Sequence, residues 1–172
     1  MERPQSPCIK VCVLRGSRCT GCLRTLDEIA AWSTMSAQAQ WALIAVLEDR
    51  RRQVAEDVVN RIKTHLSTSP AVLFMKGTPD FPQCGFSAQA VAALRASGAG
   101  FHAVNIFEDP ELREALKKFS NWPTYPQLYV NGELVGGCDI VLDMHRSGEL
   151  KKLLSDAGAT GLTSSAGRSP TN

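Results

Sequence analysis

Two groups of cysteines carry the chemistry in this sequence. Cys84 opens the run Cys84-Gly85-Phe86-Ser87. Ahead of it, Ala71-Val72-Leu73-Phe74-Met75 has the pattern of a buried strand, and behind it Ala88-Gln89-Ala90-Val91-Ala92-Ala93-Leu94 has that of a helix. A sulfur at such a junction lies at the positive end of the helix dipole, where unpaired N–H groups favour thiolate over thiol. Ser87 stands where a dithiol motif carries its second cysteine, so the usual internal disulfide cannot close. The second group, Cys8, Cys12, Cys19 and Cys22, has the spacing C-x3-C-x6-C-x2-C. Four thiolates so close in sequence can surround one tetrahedral ion, and the segment has too few apolar residues to fold on a core of its own. Gly16 and Gly21 permit the turns that converging sulfurs need. Metal binding accounts for the cluster better than packing or incidental oxidation, and zinc is favoured over an iron–sulfur centre.

At 172 residues the chain can hold one or two domains with a real core. A formal net charge of +2 gives no case for nucleic acid or an anionic membrane as partner. Arg50-Arg51-Arg52 lies among Glu48, Asp49, Glu56 and Asp57, which reads as a solvated helix face. The apolar run from Ala42 to Leu47 is too short to span a bilayer, and the opening Met-Glu-Arg-Pro-Gln-Ser-Pro lacks the apolar core of a secretory signal. The expectation is therefore a cytoplasmic protein with reduced thiols, whose six cysteines serve metal or thiol chemistry rather than disulfides.

The elements that must position these sulfurs follow in order. Thr25-Leu26-Asp27-Glu28 is a capping box that starts a helix through Trp32. Ser36 caps a second helix holding Trp41, Ile44 and Leu47, and the two tryptophans suggest a small core under the cysteines. Apolar residues at 54, 58, 62 and 66 mark one face of a helix over Gln53 to Leu66. Strands are expected at 71–75, 101–106, 127–130 and 133–135, the last two joined by the hairpin signal Asn131-Gly132. Helices follow Cys84, start at Asp109-Pro110, and cover Ile140 to Ser155 with a break near Gly148. The fold class is α/β, a mixed central sheet covered by helices, preceded by a small cysteine-rich, mainly helical domain. The expected divisions are 1–52, 53–157 and a disordered tail over 158–172, rich in Gly, Ala, Ser and Thr.

Further residues gather around Cys84 in this order. Lys76 ends the first strand and can lower a thiolate pKa or hold a carboxylate. Trp122-Pro123-Thr124-Tyr125-Pro126-Gln127 reads as a fixed loop, with Tyr125-Pro126 a candidate cis bond. Gly136-Gly137-Cys138-Asp139 opens the last helix, whose free N–H groups suit a carboxylate. Arg113 lies on the helix begun by Asp109-Pro110, beside a glutamate.

From about Val54 to Ala157 the chain resembles the monothiol glutaredoxins of the Cys-Gly-Phe-Ser class. The matching residues are Phe74-Met75-Lys76-Gly77, the loop Thr78 to Gln83, Cys84 to Ser87, Trp122-Pro123-Thr124 with Pro126-Gln127, and Gly136-Gly137-Cys138-Asp139. The resemblance implies a thioredoxin fold with Pro126 cis. It implies glutathione held by Lys76, Arg113, the backbone beside Tyr125, Cys138 and Asp139. It implies a [2Fe–2S] cluster on Cys84 and glutathione sulfurs, bridging a homodimer or shared with a BolA-type partner and delivered to recipient apoproteins, and so a part in cluster assembly and iron homeostasis. The alternative is glutathione-dependent reduction of mixed disulfides by Cys84 alone, for which this class implies weak turnover. The front segment resembles a small cysteine-containing domain of unknown function common in bacterial proteins, through Cys19, Gly21-Cys22 and Arg24-Thr25-Leu26-Asp27-Glu28-Ile29.

Overall fold

The strand predicted ahead of Cys84 is the centre of the larger unit. In the computed structural model, which describes residues 2–159, every side chain of Ala71–Met75 is buried. Full burial on both faces is why the run is apolar throughout rather than alternating. The chain divides into two units, one ending at Asp57 and one beginning at Val58.

The front unit begins with a short antiparallel hairpin, β1 (Leu14–Arg15) and β2 (Arg18–Cys19), turning at Gly16 with φ +59°. Helix α1 (Leu26–Ala31) starts where the capping box placed it: the Thr25 hydroxyl accepts from Glu28 N–H, and the Glu28 carboxylate accepts from Thr25 N–H. Helix α2 runs unbroken from Ala37 to Thr68. The two helices expected around Ser36–Leu47 and Gln53–Leu66 are thus one, because neither Gly nor Pro interrupts that stretch. Arg50 is not merely a solvated charge: it makes a two-pronged ion pair with Glu28 at 2.7 and 2.8 Å and donates to the Leu23 carbonyl. Trp41 is not core either, being 47% exposed with its Nε1–H on the Glu2 carbonyl.

In the second unit β3 (Ala71–Met75) pairs in parallel with β4 (His102–Asn105) and antiparallel with β5 (Gln127–Val130), which pairs with β6 (Glu133–Gly136). The strand order is β4-β3-β5-β6. Helix α3 (Gly85–Ala96) makes the crossover from β3 to β4. With α5 (Cys138–Ser147) and α6 (Glu149–Asp156) it covers the face bearing Ala71, Leu73 and Met75. The opposite face, bearing Val72 and Phe74, packs on Val58 and Ile62 of α2 and on Leu112 and Leu116 of α4 (Pro110–Ser120). A fully buried side chain such as Phe74 contributes about 1.5–3 kcal/mol. These two layers of helix on a mixed sheet are the thioredoxin fold. The expected tail from 158 is shortened at its start, since Ala159 is fully buried and its carbonyl accepts from Gly100 N–H. Residues 160–172 lie outside the described part. No described helix is long and apolar enough to cross a membrane.

Candidate functional site

Cys84 is the N-cap of α3 and is partly exposed. The Ser87 backbone N–H is the main influence lowering its thiol pKa. Burial opposes this, and the Phe86 N–H, the Lys76 charge and the Ser87 hydroxyl reinforce it. Ser87 is fully buried, and its Oγ also accepts from Lys76 N–H at 3.2 Å. The serine that replaces a second sulfur therefore ties the end of β3 to the start of α3.

The loop before Cys84 is shaped by backbone contacts. Gly77 has φ +86°, and a Cβ there would lie 2.5 Å from the Phe81 carbonyl oxygen and 2.7 Å from Gln83 N. Only glycine lets the loop fold so tightly on itself. Gly77 N–H donates to Asn105 Oδ1 at 3.0 Å, and Gln83 N–H donates to the Lys76 carbonyl at 2.9 Å. Phe81 at the loop tip is 80% exposed and Phe86, behind Cys84, is 60% exposed.

Lys76, Cys84, Arg113, Tyr125, Cys138 and Asp139 all line one cavity of about 550 Å³. Tyr125-Pro126 is cis. The Tyr125 hydroxyl donates to the Arg113 carbonyl at 2.5 Å, and burial pushes its phenol well above the ordinary range. The guanidinium of Arg113 lies 5.6 Å over the Phe107 ring. Glu114 is 3.9 Å away, and the buried Arg113 Nε has no hydrogen-bond acceptor among the described residues. Cys138 is buried at the start of α5, donates to Gln89 Oε1 at 3.6 Å, and is pushed up chiefly by burial, then by Asp139 and Cys84.

Two members of this lining were not singled out from the sequence as binding residues. Lys117 adds a third cation and is paired with Glu114 at 3.0 Å. Trp122 adds a buried Nε1–H that has no acceptor among the described residues, packed where a Cβ on Gly137 would come within 3.3 Å of it. The signal for Trp122 was its place beside Pro123-Thr124, and that for Lys117 the one-turn spacing from Arg113. The cavity thus offers three cations, one carboxylate, two unpartnered N–H donors and a helix N-terminus beside an activated thiol. An acidic ligand carrying one amine and one sulfur matches that donor set.

In the front unit Cys19 and Cys22 are buried and Cys8 and Cys12 exposed. The Cys12 thiol is pushed up first by Cys8, then by burial, Cys19 and Cys22. Burial opposes ionisation of Cys22, but hydrogen bonds from Arg24 bring its thiol below the ordinary value. Among the described residues no three His, Cys, Asp or Glu side chains are arranged to hold a metal ion. The four sulfurs are neighbours but do not form a closed ligand set.

Residues 71–135 match the family model described as Glutaredoxin, and residues 6–51 that of a protein of unknown function, DUF1289. The chain is 53% identical over 111 residues to the mitochondrial Monothiol glutaredoxin-5 of Lachancea kluyveri, covering 63% of this chain and 78% of that protein. It is 51% identical over 111 residues to Monothiol glutaredoxin-S11 of Oryza sativa subsp. japonica; the match takes in 64% of this chain but only 23% of the rice protein. Among solved structures, reduced apo GrxS14 of poplar superposes with a TM-score of 0.53 at 46% identity, covering 59% of this chain and 93% of that one.

Proposed function

This chain belongs to the monothiol glutaredoxin family, and from that premise we propose that it binds glutathione beside Cys84 and uses the paired sulfurs to carry and hand on a [2Fe–2S] cluster. The observation that carries this reading is the convergence of Cys84 with Lys76, Arg113 and Asp139 on one cavity. Lys76 and Arg113 pair with the glycine-end carboxylate, and the Arg113 Nε and Trp122 Nε1 donors find their acceptors in the peptide. The backbone at Tyr125 aligns with the extended tripeptide as an added strand would. The N–H groups at Cys138 and Asp139 take the γ-glutamyl carboxylate, while the Asp139 carboxylate holds the amine. Cys84 then supplies one thiolate, and bound glutathione contributes the second sulfur.

An all-thiolate [2Fe–2S] cargo needs four such sulfurs. Two chains with two glutathiones complete the set, as a homodimer, or a BolA-type protein takes the place of one chain. Recipient apoproteins then accept the cluster, which gives the protein a part in cluster assembly and iron homeostasis. Anaerobic reconstitution with iron, sulfide and glutathione tests this. A coloured dimer that Cys84→Ser abolishes is expected; a colourless monomer from the wild-type chain overturns it.

A second reading rests on the lowered Cys84 thiol. A thiolate there can attack a glutathionyl mixed disulfide, taking the glutathionyl group as the substrate thiolate leaves; a glutathione thiolate then attacks that new disulfide, forming oxidised glutathione and freeing the Cys84 thiolate. Turnover of a glutathionylated substrate with glutathione and its reductase measures it. Negligible turnover beside efficient cluster transfer rejects it as the main activity.

A further inference from the structure

The front unit contains a buried cation whose charge nothing in its described surroundings balances. Arg24 is 3% exposed. Its Nε donates to Cys22 Sγ at 3.4 Å, and its guanidinium lies 5.2 Å over the Trp32 ring. Among the described residues no carboxylate pairs with it, in contrast to Arg50, which has Glu28. The polar partner of its Nε is thus a sulfur rather than a carboxylate.

The local backbone brings the other three cysteines towards that side. Cys19 N–H donates to the Arg24 carbonyl at 2.9 Å and Leu23 N–H to the Cys19 carbonyl at 2.8 Å, closing a tight loop that holds Cys19 and Cys22. Leu23 reaches φ +61° to do so. At Gly21 this loop meets the preceding segment: a Cβ there would be 2.8 Å from the Val11 carbonyl oxygen and 2.9 Å from Ile9 Cγ1. Cys19 Sγ donates to that same Val11 carbonyl at 3.2 Å. Cys8 and Cys12 flank the contacting residues Ile9–Val11. Lys10, also left-handed at φ +63°, points its N–H at Cys8 Sγ, 3.4 Å away. Two non-glycine residues in the left-handed region mark turns set by surrounding contacts rather than by local preference.

We propose that Cys8, Cys12, Cys19 and Cys22 bind one zinc ion as a tetrathiolate, with Arg24 as its buried counter-charge. The buried pair, Cys19 and Cys22, is the preformed half of the site. The exposed pair closes on it, Cys19 exchanging its bond to the Val11 carbonyl for one to the metal. Zinc displaces four thiol protons to solvent, leaving a centre of two net negative charges, and no electrons move. Arg24, packed against Cys22, offsets part of that charge. Soft thiolates at tetrahedral spacing suit zinc, and such a site adds its binding energy to folding of a unit that has little core.

The test uses the full-length chain carrying Cys84→Ser, so that the other thiol site holds no metal. Zinc and iron are measured after purification under reductant, and cobalt is loaded in place of zinc. One zinc per chain is expected, with the intense visible bands of tetrahedral tetrathiolate cobalt. Cys12→Ser, at an exposed position, lowers zinc affinity by at least about tenfold in chelator competition and removes one thiolate from the cobalt spectrum. Arg24→Gln lowers the affinity by about 10–100-fold while keeping the four-sulfur spectrum. Four freely titrating thiols after zinc loading, iron with sulfide in place of zinc, or an unchanged affinity in Cys12→Ser each overturns the proposal.

Discussion

Ser87 Oγ accepts the Lys76 backbone N–H at 3.2 Å, joining the last turn of the strand to the first turn of the helix that carries Cys84. The same residue's backbone N–H is the main influence lowering the Cys84 thiol. Ser87→Ala keeps that N–H and loses the hydroxyl. It should raise the Cys84 pKa, read from thiolate absorbance against pH, and cost about 1–3 kcal/mol through the orphaned Lys76 N–H. An unmoved thiolate titration would remove the hydroxyl from the account.

Gly77→Ala forces a Cβ to within 2.5 Å of the Phe81 carbonyl at a left-handed φ. The strain alone is worth about 1–3 kcal/mol. Urea unfolding should show that loss or more, while Gly132→Ala, at φ +81° with open space around it, should lose less.

Arg113→Met and Asp139→Asn each remove one charged contact to the proposed glutathione. Loss of a charged hydrogen bond worth about 1.5–3 kcal/mol predicts roughly 10–150-fold weaker binding by calorimetry. Affinity within twofold of wild type in both variants would place the tripeptide elsewhere.

The Glu28 carboxyl is held down to about 2, first by its hydrogen bond from Arg50. Its unfolded value is near 4.5, so its contribution is complete above that pH and is lost as the pH falls towards 2. Both side chains are about one-fifth exposed, which limits the contribution to about 3 kcal/mol at most. Glu28→Gln should therefore be less stable than wild type at pH 6, with the gap narrowing at pH 3. A gap independent of pH would mean the pair acts through packing alone.

His65 and His102 stack with ring centroids 5.6 Å apart, and burial lowers both. Asp109 raises His65 and Arg61 lowers it, while His65 lowers His102. Below the unfolded value near 6.5 the unfolded chain takes up protons that the folded one resists, so stability falls as pH drops through that range. His102→Leu should flatten the stability profile between pH 7.5 and 5.5; parallel curves for the two proteins would refute the coupling.

Much of this was legible in local pattern. The strand at 71–75, the capping box at Thr25, the Asn131-Gly132 hairpin and the helix begun by Asp109-Pro110 each rest on short-range backbone chemistry, and each stands where its residues placed it. The polar run from Glu48 to Gln53 interrupts the apolar pattern of α2 and hides its continuity in the sequence. The two-residue strands of the front hairpin are too short for any alternation to announce them. The role of Arg50 was hidden by distance, since its partner Glu28 lies 22 residues earlier.

By itself the sequence determined the reagents: one thiol without its redox partner at a helix start, a lysine at the strand end, a glycine-rich helix N-terminus, and four clustered cysteines in front. Those follow from residue type and near spacing. Only the tertiary structure decided that Lys76, Arg113, Trp122 and Asp139 meet Cys84 in one cavity, and that Arg24 is buried against Cys22 with no carboxylate paired to it among the described residues. Convergence of that kind depends on how strands pair and helices pack, and burial sets whether a charge needs a partner; neither is a property of any short stretch of chain.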